Sequence, residues 1–137
     1  MFLNLLTERQ KQSFLALATK VSMADGEVVP EENVTLKVRV AEMGGHVKAP
    51  PDEIYGEANF GVFNTPQAQT IVVLELMVIA YSDAEYHEYE RPIIDDLIEN
   101  FGFSADQVKR FEDWAKRQSP LSVEGGDFIT EAGPVEA

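Results

Sequence analysis

The chain has 137 residues, 45% of them apolar, with 11 Lys and Arg against 24 Asp and Glu, a formal net charge of −13, and no Cys. That length fits one domain with its own core, and the charge leaves no basic surface to neutralise phosphates, which argues against nucleic acid and anionic membranes as partners. Disulfides, thiolate catalysis and cysteine-type structural zinc are excluded by the missing Cys.

Residues 1–6 are apolar but carry no basic leader or cleavage site, so no signal peptide is expected there. Thr7 followed by Gln10 has the spacing of a capping box, in which a hydroxyl and the third side chain of a helix satisfy its orphan amides. Phe14, Leu15, Leu17, Ala18 and Val21 then recur at helical spacing and predict a helix over residues 8–23. Pro30 suits the first turn of a second helix with apolar positions at Val34, Leu36, Val38, Val40, Ala41 and Met43, stopped by Gly44 and Gly45.

From residue 46 to 64 the pattern is broken by Pro50, Pro51, Gly56 and Gly61, and only residues 52–60 suggest a short helix. Thr65 and Pro66 open an apolar helix through Ala80 whose hydrophobicity on all sides predicts a central, buried position. Its apolar run, residues 71–81, is too short to span a bilayer and contains Glu75, so no membrane insertion is expected and a cytoplasmic location is. Residues 88–101 predict another helix, stopped by Gly102. Ser104 and Gln107 repeat the capping-box spacing before a last helix with Val108, Phe111, Trp114 and Ala115, expected to end near Arg117. Phe101, Phe103, Phe111 and Trp114 are spaced like core residues. The expected domain is therefore residues 1–117. Residues 118–137, with Pro120, Gly125, Gly126, several acids and no Lys or Arg, read as an acidic, disordered tail with Phe128 and Ile129 able to dock.

A shift of 58 residues superimposes one half on the other without a gap: Thr7 on Thr65, Asp25 on Asp83, Glu27 on Glu85, Glu32 on Glu90 and Gly44 on Gly102. Leu36 falls on Ile94 and Val40 on Ile98. The matches sit on caps, loop acids and helix stops, which obey different physical constraints, so an internal repeat is the simplest cause. The predicted fold is an all-α bundle of about six to seven helices built from two helix–acidic loop–helix units, packed face to face because neither unit can bury its apolar stripe alone.

Each unit carries Asp-x-Glu-x4-Glu: Asp25, Glu27 and Glu32, then Asp83, Glu85 and Glu90. An aspartate just past a helix C-terminus meets a dipole that is already negative, so something must compensate. Two alternatives stand. The acids accept hydrogen bonds from loop amides and cap the next helix, or the three carboxylates converge on a hard divalent cation, calcium, magnesium or manganese. An EF-hand is ruled out: counted from Asp25, position 5 is Val29, position 6 is Pro30 and position 12 is Leu36, where that loop needs an oxygen ligand, Gly and Glu. His87 adjoins the second loop and is either a fourth ligand or an exposed side chain, whereas His46 has no evident partner.

Ala24, Asp25, Gly26 and Glu27 followed by Pro30, Glu31 and Glu32, their echo over residues 82–90, and the closing Phe101, Gly102, Phe103 and Ser104 resemble the hallmarks of TerB-like (tellurite-resistance) domains over residues 8–117. The resemblance implies an all-helical fold, paired acidic loops proposed to bind metal, and relatives among stress-response proteins and membrane-linked co-chaperones. Carried onto this chain, the implied site is Asp25, Glu27, Glu32, Asp83, Glu85 and Glu90. Two departures stand out: Ala84 where the first loop has Gly26, and Val29 where the family often has a small polar residue.

No Ser or Thr lies at recognisable spacing from a base, and no Gly-rich phosphate loop follows a strand, so no enzyme is expected. The expected function is a non-enzymatic stress-response or scaffold module whose acidic loops bind a divalent cation or a basic surface of a protein partner. The alternatives are a metal-dependent hydrolase using the paired carboxylates, and an adaptor that uses apolar helix faces while its acids serve only as caps.

Overall fold

The computed structural model describes residues 2–23, 34–82 and 91–132, and every regular element among them is helical. In chain order these are α1 (Glu8–Met23), α2 (Val34–Glu42), α3 (Pro51–Tyr55), α4 (Pro66–Ser82), α5 (Arg91–Phe101) and α6 (Ala105–Ala132), with 3-10 turns at Leu3–Leu5 and Phe60–Val62.

The predicted caps set the helix starts. At α1 the Thr7 hydroxyl accepts the Gln10 amide at 3.2 Å while Gln10 Oε1 accepts the Thr7 amide at 3.0 Å, closing a capping box. Thr65 accepts the Ala68 amide at 3.2 Å, and Pro66 fills the first turn of α4, where no amide is needed. Ser104 and Gln107 form the same reciprocal pair ahead of α6, at 3.2 and 3.0 Å.

Glycines set the stops. Gly44 and Gly45 adopt φ of 113° and 83°, and their amides bond back to Ala41 and Val40, the crossed pair of bonds that closes a helix in the left-handed region. Gly102, at φ 75°, ends α5 with its amide shared between Ile98 and Glu99.

α4 is the centre of the packing, as its all-round hydrophobicity predicts: residues from Val72 to Ala80 are buried apart from the half-buried Leu74, and α1, α5, α6 and the Leu3–Leu5 turn all lie against it. α1 contributes Phe14, Leu17, Ala18 and Val21 to that core, and α5 contributes Ile94 and Leu97 while Asp95, Asp96, Glu99 and Asn100 face outward. Phe101 is an aromatic hub, with Phe60, Phe63 and Phe103 at ring distances of 6.2 to 6.3 Å in edge-on geometry.

Two sequence expectations are corrected. The helix expected over residues 52–60 is α3 followed by the separate Phe60–Val62 turn, because the chain folds back at Gly56, whose amide bonds the Asp52 carbonyl at 2.9 Å. A Cβ at Gly56 would lie 2.5 Å from that carbonyl oxygen, so the fold-back needs glycine. The last helix does not end near Arg117 but runs to Ala132, through Pro120, Gly125 and Gly126 of the stretch read as a disordered tail. Local breakers oppose an isolated helix, but a helix already nucleated gains a bond with each added residue that carries an amide, which between residues 118 and 132 is every one except Pro120.

Candidate functional site

Asp25, Glu27, Glu32, Asp83, Glu85 and Glu90 all lie outside the described residues, as does His87. What is described is the frame: α1 leads into residues 24–33 and α2 out of them, and α4 leads into residues 83–90 and α5 out of them. Among the described residues, no group of three or more His, Asp or Glu is arranged to hold a metal ion.

One clamp fixes the starts of the two helices that enter the loops. Gln10 Nε2 donates to the Val62 carbonyl and Gln69 Nε2 to the Phe63 carbonyl, both at 3.0 Å, so neighbouring peptide groups hold the N-terminal turns of α1 and α4. Gln10 is 7% exposed and uses both ends of its amide, one for the cap and one for the clamp, which is what a buried amide requires.

At the other ends, each helix has an ammonium group beside it. Lys20, in the last turn of α1, donates to the Gly56 carbonyl. α4 has no basic residue in its last turn, but Lys116 of α6 stands 5.6 Å from the centre of the Tyr81 ring. Both positive charges oppose the negative ends of the helix dipoles that the acidic loops follow.

Two buried carboxylates brace this frame. Glu75, 1% exposed in the middle of α4, accepts the Phe2 amide through Oε1 at 2.9 Å and faces Arg39 Nε of α2 across 3.4 Å through Oε2. Arg39 also lies 3.9 Å from Glu42. A carboxylate so buried is tolerated only with such partners, which accounts for an acid inside the most apolar run of the sequence.

Glu53 of α3, 5% exposed, accepts the Ser13 hydroxyl at 2.7 Å and the Arg9 guanidinium at 3.0 Å, and the same Arg9 nitrogen donates to Ser13 at 2.9 Å. With Ser13 itself only 1% exposed, a substrate has no path to its hydroxyl, so the triangle is a strut between α1 and α3.

His46, which has no evident partner in the sequence, pairs with Glu8 in the first turn of α1 at 2.9 Å. Their mutual hydrogen bond lowers the Glu8 carboxyl below its ordinary range and raises the His46 imidazole above its own.

Compared with known proteins, the chain matches no family model, no curated protein and no solved structure. No described helix is long and apolar enough to cross a membrane.

Proposed function

We propose that the chain is a non-enzymatic, TerB-like binding module of the cytoplasm, of the stress-response or scaffold kind, whose paired acidic loops bind a divalent cation or a basic surface of a protein partner. The observation that carries this reading is the matched frame of the two loops. α1 and α4 start at positions 58 residues apart, on threonine caps that accept the third following amide at 3.2 Å in both cases. The glycines that follow α2 and α5, Gly44 and Gly102, are 58 residues apart as well; their amides bond to Ala41 and Glu99 and their φ angles are both positive. Two helices of 16 and 17 residues leave a common clamp, and each enters one Asp-x-Glu-x4-Glu loop.

Carboxylates grouped this closely in the sequence, in a chain with 11 Lys and Arg against 24 Asp and Glu, repel one another, and a hard cation with oxygen ligands relieves that repulsion. Calorimetric titration of the intact chain with calcium, magnesium and manganese tests the reading, with a lysine-rich peptide as the arm for a basic surface. Heat of binding that disappears in Asp25→Asn and Asp83→Asn is expected. Equal heats from wild type and both variants would overturn it.

A further inference from the structure

We propose that a trough between the N-terminal segment, α4 and α6 docks an acidic amphipathic helix from a partner protein. Its floor is made by Phe2, Leu74, Phe111 and Trp114, all half-buried, and its volume is about 550 Å³. Phe2 and Leu74 also line an adjoining hollow of about 390 Å³ beside Leu5, a leucine that is 58% exposed. The two hollows share Phe2 and Leu74 and so form one continuous apolar track.

The charge on this track identifies its occupant. Arg110 and Arg117 line the trough and are exposed, and neither enters any ion pair found among the described residues. Asp113 is the one acid among the lining residues. Residues 109–117 of α6 hold four of the 11 Lys and Arg, Lys109, Arg110, Lys116 and Arg117, against the two acids Glu112 and Asp113, a local net charge of +2 on a chain of net charge −13. Seven residues apart on one helix, the two guanidinium groups share a face at a separation of roughly 10 Å along the axis, with Trp114 between them.

A partner helix with two carboxylates seven positions apart and apolar residues between them mirrors that spacing. Its acids meet the two arginines and its apolar ridge meets Phe2, Leu74 and Trp114, the helix-in-groove mode of recognition. Residues 118–132 of this chain cannot serve, because they continue α6 itself and cannot lie across its own face. A second copy of the chain is the competing occupant, and sedimentation decides between the two below. The surface uses no residue of the acidic loops, so its test is independent of the cation reading.

Trp114 is the only tryptophan in the chain, so its fluorescence reports on the trough directly. The probe is a labelled synthetic helical peptide of about 18 residues, with two glutamates seven positions apart and leucines three and four positions after the first. A peptide with glutamines at those positions is its control. We expect the acidic peptide to bind the full chain with a shift in Trp114 emission, and the glutamine peptide to bind about tenfold or more weakly. The surface variants Arg110→Glu and Arg117→Glu, with unchanged circular dichroism, should each lose binding of the acidic peptide by a similar factor. No binding of the acidic peptide, equal binding of both peptides, or binding unaffected by the arginine variants would overturn the proposal. So would self-association in sedimentation that the arginine variants abolish, which would make a second copy the occupant.

Discussion

Arg39 of α2 and Glu75 of α4 face each other across 3.4 Å, with the carboxylate 1% exposed and its second oxygen bonded to the Phe2 amide. One acid in the core therefore ties together the N-terminal segment, the helix that leaves the first acidic loop and the helix that enters the second. Removing one partner of such a pair leaves an uncompensated buried charge, whereas removing both does not. We expect Arg39→Met to cost about 3 kcal/mol, and Arg39→Met combined with Glu75→Gln to recover a large part of it, because glutamine keeps an acceptor for the Phe2 amide. Urea denaturation of the four proteins of this double-mutant cycle checks it. A double variant as unstable as the sum of the singles would show that the two residues do not act as a pair.

Gln10 and Gln107 occupy the same position in two capping boxes but differ in what surrounds them. Gln10 is buried and also holds the Val62 carbonyl, whereas Gln107 is exposed. Gln107→Ala should cost about 0.5–1 kcal/mol, the usual loss for an exposed cap contact. Gln10→Ala should cost about 2–3 kcal/mol, since it also strands a buried carbonyl. Denaturation midpoints measure both, and equal losses would mean that the clamp contributes nothing beyond the cap.

The His46–Glu8 pair makes stability depend on pH in a defined window. His46 is raised in the folded chain, so its contribution is complete below its ordinary value and is lost as pH rises through the raised one. Glu8 is lowered, so its contribution is present above its ordinary value and is lost as pH falls through the lowered one. The stability of wild type relative to His46→Gln should therefore be greatest between those two limits and decline on either side. Both groups are exposed, so the difference should be small and should shrink with added salt. A flat difference from acid to alkaline pH would contradict the pairing.

Local chemistry made much of the fold legible. The caps at Thr7, Thr65 and Ser104 and the stops at Gly44 and Gly102 act within a few residues, and the α1 bounds Glu8–Met23 agree with the spacing that predicted them. Contacts set by tertiary approach were not legible. His46 and Glu8 are 38 residues apart and Ser13 and Glu53 are 40 apart, with no periodicity linking them.

Trp114 and Phe111 have core spacing, yet they pack against the core from one side and line the trough from the other, a distinction periodicity cannot make. Their flanking signal was available in Arg110 and Arg117, one face of a helix in a chain poor in cations. The end of α6 is not legible in the sequence, because Pro120, Gly125 and Gly126 are strong local signals against helix and nothing in composition reveals the helix that runs through them. The candidate cation site is legible only as the spacing of its acids.

Thermal unfolding with and without cation tests most directly whether the paired acidic segments of the folded chain bind a divalent cation. A ligand that binds only the folded state stabilises it by mass action, so millimolar calcium, magnesium or manganese should raise the wild-type melting temperature by about 3 °C or more. Asp25→Asn and Asp83→Asn should raise the cation-free melting temperature slightly, through relief of repulsion, and abolish the rise that cation produces. A wild type with no cation-dependent shift, or variants that lose stability with no cation present, would contradict the account and leave the six carboxylates as helix caps.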